Sequence, residues 1–393
     1  MAGSTILDLL LVLLLIVSLI NGYRSGLFRS VFGILGLVAG GVAAYFVVPI
    51  VGAWVPEPEW RTPASIAAAL LLIFIGLSIG GSIGSVLRRG VKAIKLGPID
   101  RVLGGVFTAA AAALVASMVA MSVGSLGVPF LSPAIASSTV ISGIDRLTPD
   151  PVKTFIAQLR SAAVNQGLPR VVDAFTGPAP EIPVFDTDNP ALALAEQSVV
   201  RITGTAYSCG QSQSGTGFVV SEDRIVTNAH VVAGVTSPVI ESPSGESLQG
   251  EIVYFDPVDD LAVIAVEGFS AAPLELTENL EPGSLAVADG YPFGGPFVSD
   301  PAEVLSVGSL SVADIYGQDP TPRQVYTLAS DVQQGESGGP LLSDAGQVAG
   351  VIFAKSTDTA NVGYALAMDE VEPVATGAAA LTDPVSSGTC VRG

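Results

Sequence analysis

Gly335-Glu336-Ser337-Gly338-Gly339-Pro340 carries the strongest chemical signal in this chain. A serine set among glycines marks a tight turn, and a hydroxyl becomes a useful nucleophile only when a base removes its proton as it attacks. The 393 residues include one histidine, His230, within Thr227-Asn228-Ala229-His230-Val231-Val232. Between the two motifs, Asp259-Asp260-Leu261-Ala262-Val263-Ile264 puts acids at the head of an apolar, strand-like run. Base, orienting carboxylate and nucleophile thus come in the order His, Asp, Ser along the chain. Any imidazole chemistry here belongs to His230.

Around these motifs, residues 195–385 alternate short apolar runs with turns containing Gly, Pro or Asp at intervals of about ten residues. Val199–Thr203, Gly217–Val220, Glu251–Phe255, Leu261–Val266, Ser284–Ala288, Val325–Ala329, Val348–Phe353 and Gly363–Ala367 read as strands. The pattern predicts an all-β sandwich or barrel.

The N-terminal third differs. Four apolar stretches, roughly Ile6–Ile20 (extending to Tyr23), Val31–Trp54, Ala64–Val86 and Val102–Gly124, are candidates for helices that cross a bilayer. No basic region precedes Ile6 and further spans come at once, which argues against a cleaved leader. Arg24 and Arg29 lie after the first stretch, and Arg88, Arg89, Lys92, Lys95 and Arg101 after the third. After the second there is only Arg61, beside Glu57 and Glu59. The positive-inside rule then puts the first and third loops in the cytoplasm and both termini outside. Gly36 and Gly40, and Gly76, Gly80 and Gly84, recur every four residues and predict close helix packing. Asp8 is expected at the water interface.

Residues 126–190 form a connector rich in Pro, Ser, Ala and Gly. Within it Asp150 and Pro151 open a predicted helix with the stripe Val152, Phe155, Ile156 and Leu159, which Gly167 would end. Docking of that stripe on the β-rich part is expected, with lying on the membrane as the alternative. Gly177–Pro183 reads as an extended linker, and cleavage between about 165 and 190 is expected to release or activate the β-rich part. The domains are therefore expected at 1–125, 126–190 and 191–393.

Charge divides along the same line. Residues 1–125 hold 8 Lys and Arg against 4 Asp and Glu, whereas residues 188–393 hold 5 against 27. Most of the formal net charge of −19 thus belongs to the C-terminal part, which excludes nucleic acid as a natural partner because phosphate binding needs clustered cations. Excess carboxylate serves solubility. Neither a metal nor an organic cofactor is expected. The two cysteines, Cys209 and Cys390, both fall on the oxidising side in this topology, and a disulfide between them is expected over two free thiols. It would close a loop of about 180 residues and contribute at most about 5 kcal/mol.

Gly215-Thr216-Gly217-Phe218-Val219-Val220, Ile225–His230 and the serine motif resemble the trypsin-like serine proteases, particularly their bacterial heat-shock branch. That resemblance implies two six-stranded β-barrels with His230, Asp260 and Ser337 meeting at their interface. It favours Asp260 over Asp259, because the relatives' acid directly precedes the strand. Backbone N–H groups of Gly335 and Ser337 would face the oxyanion. Glu336 stands where many relatives carry Asp, so activation through a freed N-terminus is not expected to transfer. Asp331 lies six residues before Ser337, where such enzymes place the acid that selects Lys or Arg; a solvated or structural acid is the alternative. Leu7–Leu10, Asn21–Leu27 and Gly97–Gly105 resemble the colicin V production protein family. The whole arrangement resembles the actinobacterial membrane-anchored acid-resistance serine proteases (MarP type). This resemblance implies a serine endopeptidase held in the cytoplasmic membrane with its protease domain on the periplasmic side. It also implies a role in acid survival, cell-wall hydrolases as candidate substrates and a disulfide that supports the active form. A membrane scaffold or transport-related protein with a β-domain that binds without cutting is the alternative.

Overall fold

The computed structural model describes residues 2–54, 58–93, 97–124, 135, 138–163, 170–171, 177–185, 187, 189–206 and 211–391. Thr5–Met118 forms one compact unit and Val119–Gly393 the body of a second.

The first unit is helical. α1 (Ala2–Ser25), α2 (Leu27–Trp54), α3 (Pro58–Ala93) and α4 (Gly97–Gly124) each contain a window long and apolar enough to cross a membrane. Their outward faces carry large apolar side chains, the reverse of a water-facing helix. The glycine rows are packing surfaces. A Cβ added at Gly36 would lie 2.1 Å from the Gly76 carbonyl oxygen, and one at Gly80 would lie 2.0 Å from that of Phe32. α2 and α3 thus pack backbone to backbone, as small-residue rows allow in lipid.

Among its described residues the connector contains two amphipathic helices, where the sequence predicts one. α5 (Thr139–Leu147) starts at Ser138, whose hydroxyl accepts from the Ile141 N–H. α6 (Asp150–Ala163) docks through Ala157, which is buried, while Phe155 of the expected stripe is exposed. Ala157 is small enough for Gly295 to come against it: a Cβ on Gly295 would meet the Ala157 Cβ at 2.9 Å. Gly167, the predicted stop, lies outside the described residues. Further on, the linker is extended but attached: the Pro180 carbonyl accepts from Asn361 Nδ2, and Phe185 packs on the core. Asn189 then caps the short helix α7 (Pro190–Ala195) and also donates to the Asp344 carbonyl.

Two sheets make up the rest. The first is antiparallel and contains β2 (Val199–Ala206), β3 (Gln211–Ser221), β4 (Arg224–Thr227), β5 (Val239–Glu241), β6 (Ser247–Gln249), β7 (Glu251–Asp256) and β8 (Leu261–Ala265). Its spatial order is β6-β5-β2-β3-β4-β8-β7. The second contains β9 (Leu285–Gly290), β10 (Val298–Val312), β11 (Thr321–Ala329), β12 (Pro340–Ser343), β13 (Val348–Ser356) and β14 (Val362–Ala367). Pairing of β13 with β14 closes these six into a ring. A seventh strand, β1 (Arg170–Val171), comes from the connector and adds to β13 in parallel. Each sheet thus has seven strands rather than six: the connector supplies one, and the short β5–β6 hairpin widens the other.

Val200, Ile202, Val219, Ile225 and Ile264 fill the first sheet, and Ala288, Val304, Leu328 and Ile352 the second. A third cluster joins them, bringing Phe218, Val226, Leu261 and Val263 against Val287, Leu342, Val351 and Phe353. Burial of such side chains contributes about 1.5–3 kcal/mol each and fixes how the two sheets face one another. The candidate residues stand at that junction.

Candidate active site

His230 sits on a single helical turn, α8 (Ala229–Val232), directly after β4. Asp260 precedes β8, the strand that pairs with β4. Its backbone is left-handed (φ 56°), a conformation Asp adopts more readily than most side chains. The carboxylate grips the histidine twice. Asp260 Oδ1 accepts from the His230 backbone N–H at 2.9 Å, and His230 Nδ1 lies 2.7 Å from Oδ2 and 3.0 Å from Oδ1. Asn228 Nδ2 donates to the Asp260 carbonyl at 2.8 Å, locking the two segments together. Asp260 is 3 % exposed, so its charge acts with little screening by water. Asp259 points elsewhere. Burial, then the neighbouring charge of Asp256, raises its carboxyl above the usual range.

Ser337 lies on the turn between β11 and β12. Gly335 (φ 98°) and Gly338 (φ 83°) both occupy conformations that favour glycine. At Gly338 a Cβ would lie 2.2 Å from both the Thr216 carbonyl and Thr227 Oγ1, and 3.0 Å from the Asn228 amide. The Ser337 carbonyl accepts from the Thr216 N–H, and beside it Gly215 abuts Val231. The Ser337 turn is thus wedged against residues 227 and 228, just before His230, while Gly215 abuts Val231, just after it. The Ser337 hydroxyl is buried and makes no hydrogen bond among the described residues.

Two anchors hold the backbone before it, one on the peptide at each side of Gly335. The Phe293 N–H donates to the Gln334 carbonyl, and Thr216 Oγ1 donates to the Gly335 carbonyl at 2.7 Å. In a trans peptide the N–H opposes the carbonyl, so the Gly335 N–H turns away from Phe293. The Gly335 and Ser337 N–H groups have no acceptor among the described residues. Phe293 is itself left-handed (φ 58°), in a turn braced by Arg201 Nη1 on the Gly294 carbonyl and by α6 on Gly295. Thr216 was legible only as part of a glycine-flanked motif; its use of one hydroxyl for both Gly335 and the Tyr291 N–H was not.

Around the turn stand three acids whose proximity sequence reasoning missed: Asp289 and Glu336 are buried and Asp300 is half-buried. Burial, reinforced by Asp300, raises the Glu336 carboxyl well above its usual range. Burial likewise raises Asp300. Asp289, 1 % exposed, is pushed up to about 7 by burial, against the opposing hydrogen bond from Ser299 at 2.6 Å. Asp331 is exposed, and its carboxylate accepts from Gln333 Nε2. Cys390 is disulfide-bonded; Cys209, the other cysteine of the chain, lies outside the described residues.

Comparison with known proteins agrees with this architecture. Residues 7–149 match the family model described as colicin V production protein, and residues 215–351 match the trypsin-like peptidase domain. The chain is therefore a serine protease joined to a colicin V production-type helical region. Over 403 aligned residues, covering 100% of both chains, it is 34% identical to serine protease Rv3671c of Mycobacterium tuberculosis. The crystal structure of the Rv3671c protease in its active form matches 56% of this chain and 100% of its own, with 39% identity and a TM-score of 0.51. A shorter likeness, 32% identity over 165 residues, covers 41% of this chain and 39% of the putative serine protease HhoB of Synechocystis. The chain belongs to the family of the Rv3671c serine protease.

Proposed function

We propose that the chain is a membrane-anchored endopeptidase in which Ser337, His230 and Asp260 form the catalytic triad. The observation that carries this reading is the double grip of Asp260 on His230, next to a nucleophile turn packed on the same segment. In the mechanism it supports, His230 takes the Ser337 proton as Oγ attacks the scissile carbonyl. Asp260, holding Nδ1–H, fixes the tautomer and stabilises the imidazolium. The Gly335 and Ser337 N–H groups receive the oxyanion, a contribution worth about 3–4 kcal/mol per donor. The imidazolium then protonates the leaving amine. Water, activated by the same imidazole, hydrolyses the acyl-enzyme and returns the proton to Ser337.

Residues 1–125 serve as membrane anchor, 126–190 as connector and 191–393 as catalytic domain. The distribution of Lys and Arg supports a periplasmic position for the catalytic domain. A Cys209–Cys390 disulfide ties the chain's tail to the end of β2. Family likeness extends the reading to acid and stress survival, with cell-wall hydrolases as substrates. Exposure of Asp331 favours its role as a solvated acid over that of a selector for basic residues.

A fluorophosphonate probe tests the assignment. Wild-type protein should label, Ser337→Ala should not, and His230→Ala should label far more slowly. Equal labelling of wild type and Ser337→Ala would remove Ser337 from the mechanism.

A further inference from the structure

The connector returns to the cleft after α6. Its segment Arg170–Val171 pairs in parallel with Lys355–Ser356, so that Arg170 faces Lys355 and Val171 faces Ser356. Which edge of β13 this occupies is fixed by the other pairings. β14 takes one edge of β13 as far as Lys355. The opposite edge carries β12 through Val351, and next to it Ile352 gives both backbone groups to the nucleophile turn. The Ile352 N–H donates to the Gly339 carbonyl, and its own carbonyl accepts from the Gly338 N–H. β1 therefore lies on the same edge as Ser337, three residues or about 10 Å beyond the nucleophile turn.

We propose that the edge of β13 at Lys355–Ser356 is the seat of this chain's own connector, which there competes with extended polypeptide substrate. A polypeptide that brings a carbonyl to Ser337 in extended form has this open edge to pair with, because a strand edge offers unpaired N–H and C=O groups. β1 satisfies those groups first. It is tethered at both ends, by Ala157 against Gly295 before it and by Asn361 on the Pro180 carbonyl after it. Such tethering gives it a high effective concentration at the edge. A pairing of two residues is also short enough to be displaced.

The inference rests on Ser337 as nucleophile, and the experiment separates the two. Full-length protein in detergent is assayed with p-nitrophenyl acetate, too small to reach the edge, and with fluorescein-labelled casein. Val171→Pro removes a backbone donor without touching the catalytic groups. Its apparent KM for casein should fall roughly three- to tenfold, the worth of about one backbone hydrogen bond, with kcat and ester turnover unchanged. In the Ser337→Ala chain, saturating casein should speed hydrogen exchange at amides 170 and 171; this arm needs no change in the connector. An unchanged KM in a Val171→Pro protein that still turns over ester, or unaltered exchange at 170 and 171 on casein binding, overturns the inference. Loss of ester turnover in Ser337→Ala alone is the control on the nucleophile, and its absence would point to the earlier assignment instead.

Discussion

Asp289→Asn tests whether the buried acids make this fold prefer acid. The Asp289 carboxyl is pushed from the usual 3.8 to about 7, chiefly by burial, with Ser299 donating to it and Glu196 and Asp300 nearby. Below pH 4 both folded and unfolded chains hold the proton and the residue contributes nothing. As pH rises from about 4 the unfolded chain loses its proton while the folded chain keeps it. Stability therefore declines until the folded group ionises near pH 7, and is flat above that. The difference of about three pH units corresponds to roughly 4 kcal/mol. Asparagine keeps an acceptor for Ser299 and never ionises, so the variant should match its parent at pH 4 and exceed it by about that amount at pH 7. Hydrogen-exchange protection of β9 and β12 amides reads this directly, in a Ser337→Ala background that prevents self-digestion and after correction for intrinsic exchange. Equal differences between variant and parent at pH 4.5 and 7.5 would refute the reasoning.

Asp260→Asn should lower kcat about 10⁴-fold by favouring the wrong His230 tautomer, whereas Asp259→Asn should stay within about twofold; steady-state kinetics on one ester substrate compares them. Thr216→Val leaves the Tyr291 N–H and the Gly335 carbonyl unpaired, so thermal unfolding should show a loss of about 1–3 kcal/mol. Its kcat should also fall, by up to about a hundredfold if the Gly335 peptide turns out of the oxyanion hole. Gly80→Ala in α3 puts a methyl group into the Phe32 carbonyl and should destabilise the helical unit by about 1–3 kcal/mol, measured as a lowered unfolding temperature in detergent.

The periodic parts of this molecule were legible from sequence. Four apolar helices, the glycine rows between α2 and α3, and eight strands can be read from hydropathy and spacing alone. The order His, Asp, Ser narrowed the site to a few residues. Six strands escaped, β1 and β12 among them. β4 was visible only as part of the histidine motif, and β5 and β6 are three residues each, too short to show a period. β10 is 15 residues long, but its Pro301, Gly308 and serines break the apolar alternation, and its ladders to β9 and β11 override that composition. The acids around Ser337 were invisible for another reason. Asp289, Asp300 and Glu336 belong to three different segments, and only the closed ring of β9 to β14 brings them together. The docking of α6 likewise rests on Ala157, which no hydrophobic stripe singles out.

Because His230 is the one imidazole in 393 residues, selective ¹⁵N-histidine labelling would give ring signals from this side chain alone, even with the helical region attached. With Nδ1 pinned between both oxygens of Asp260, those signals would report tautomer and protonation under turnover conditions without any assignment step. Purification through a handle other than polyhistidine would keep that spectrum free of competing rings.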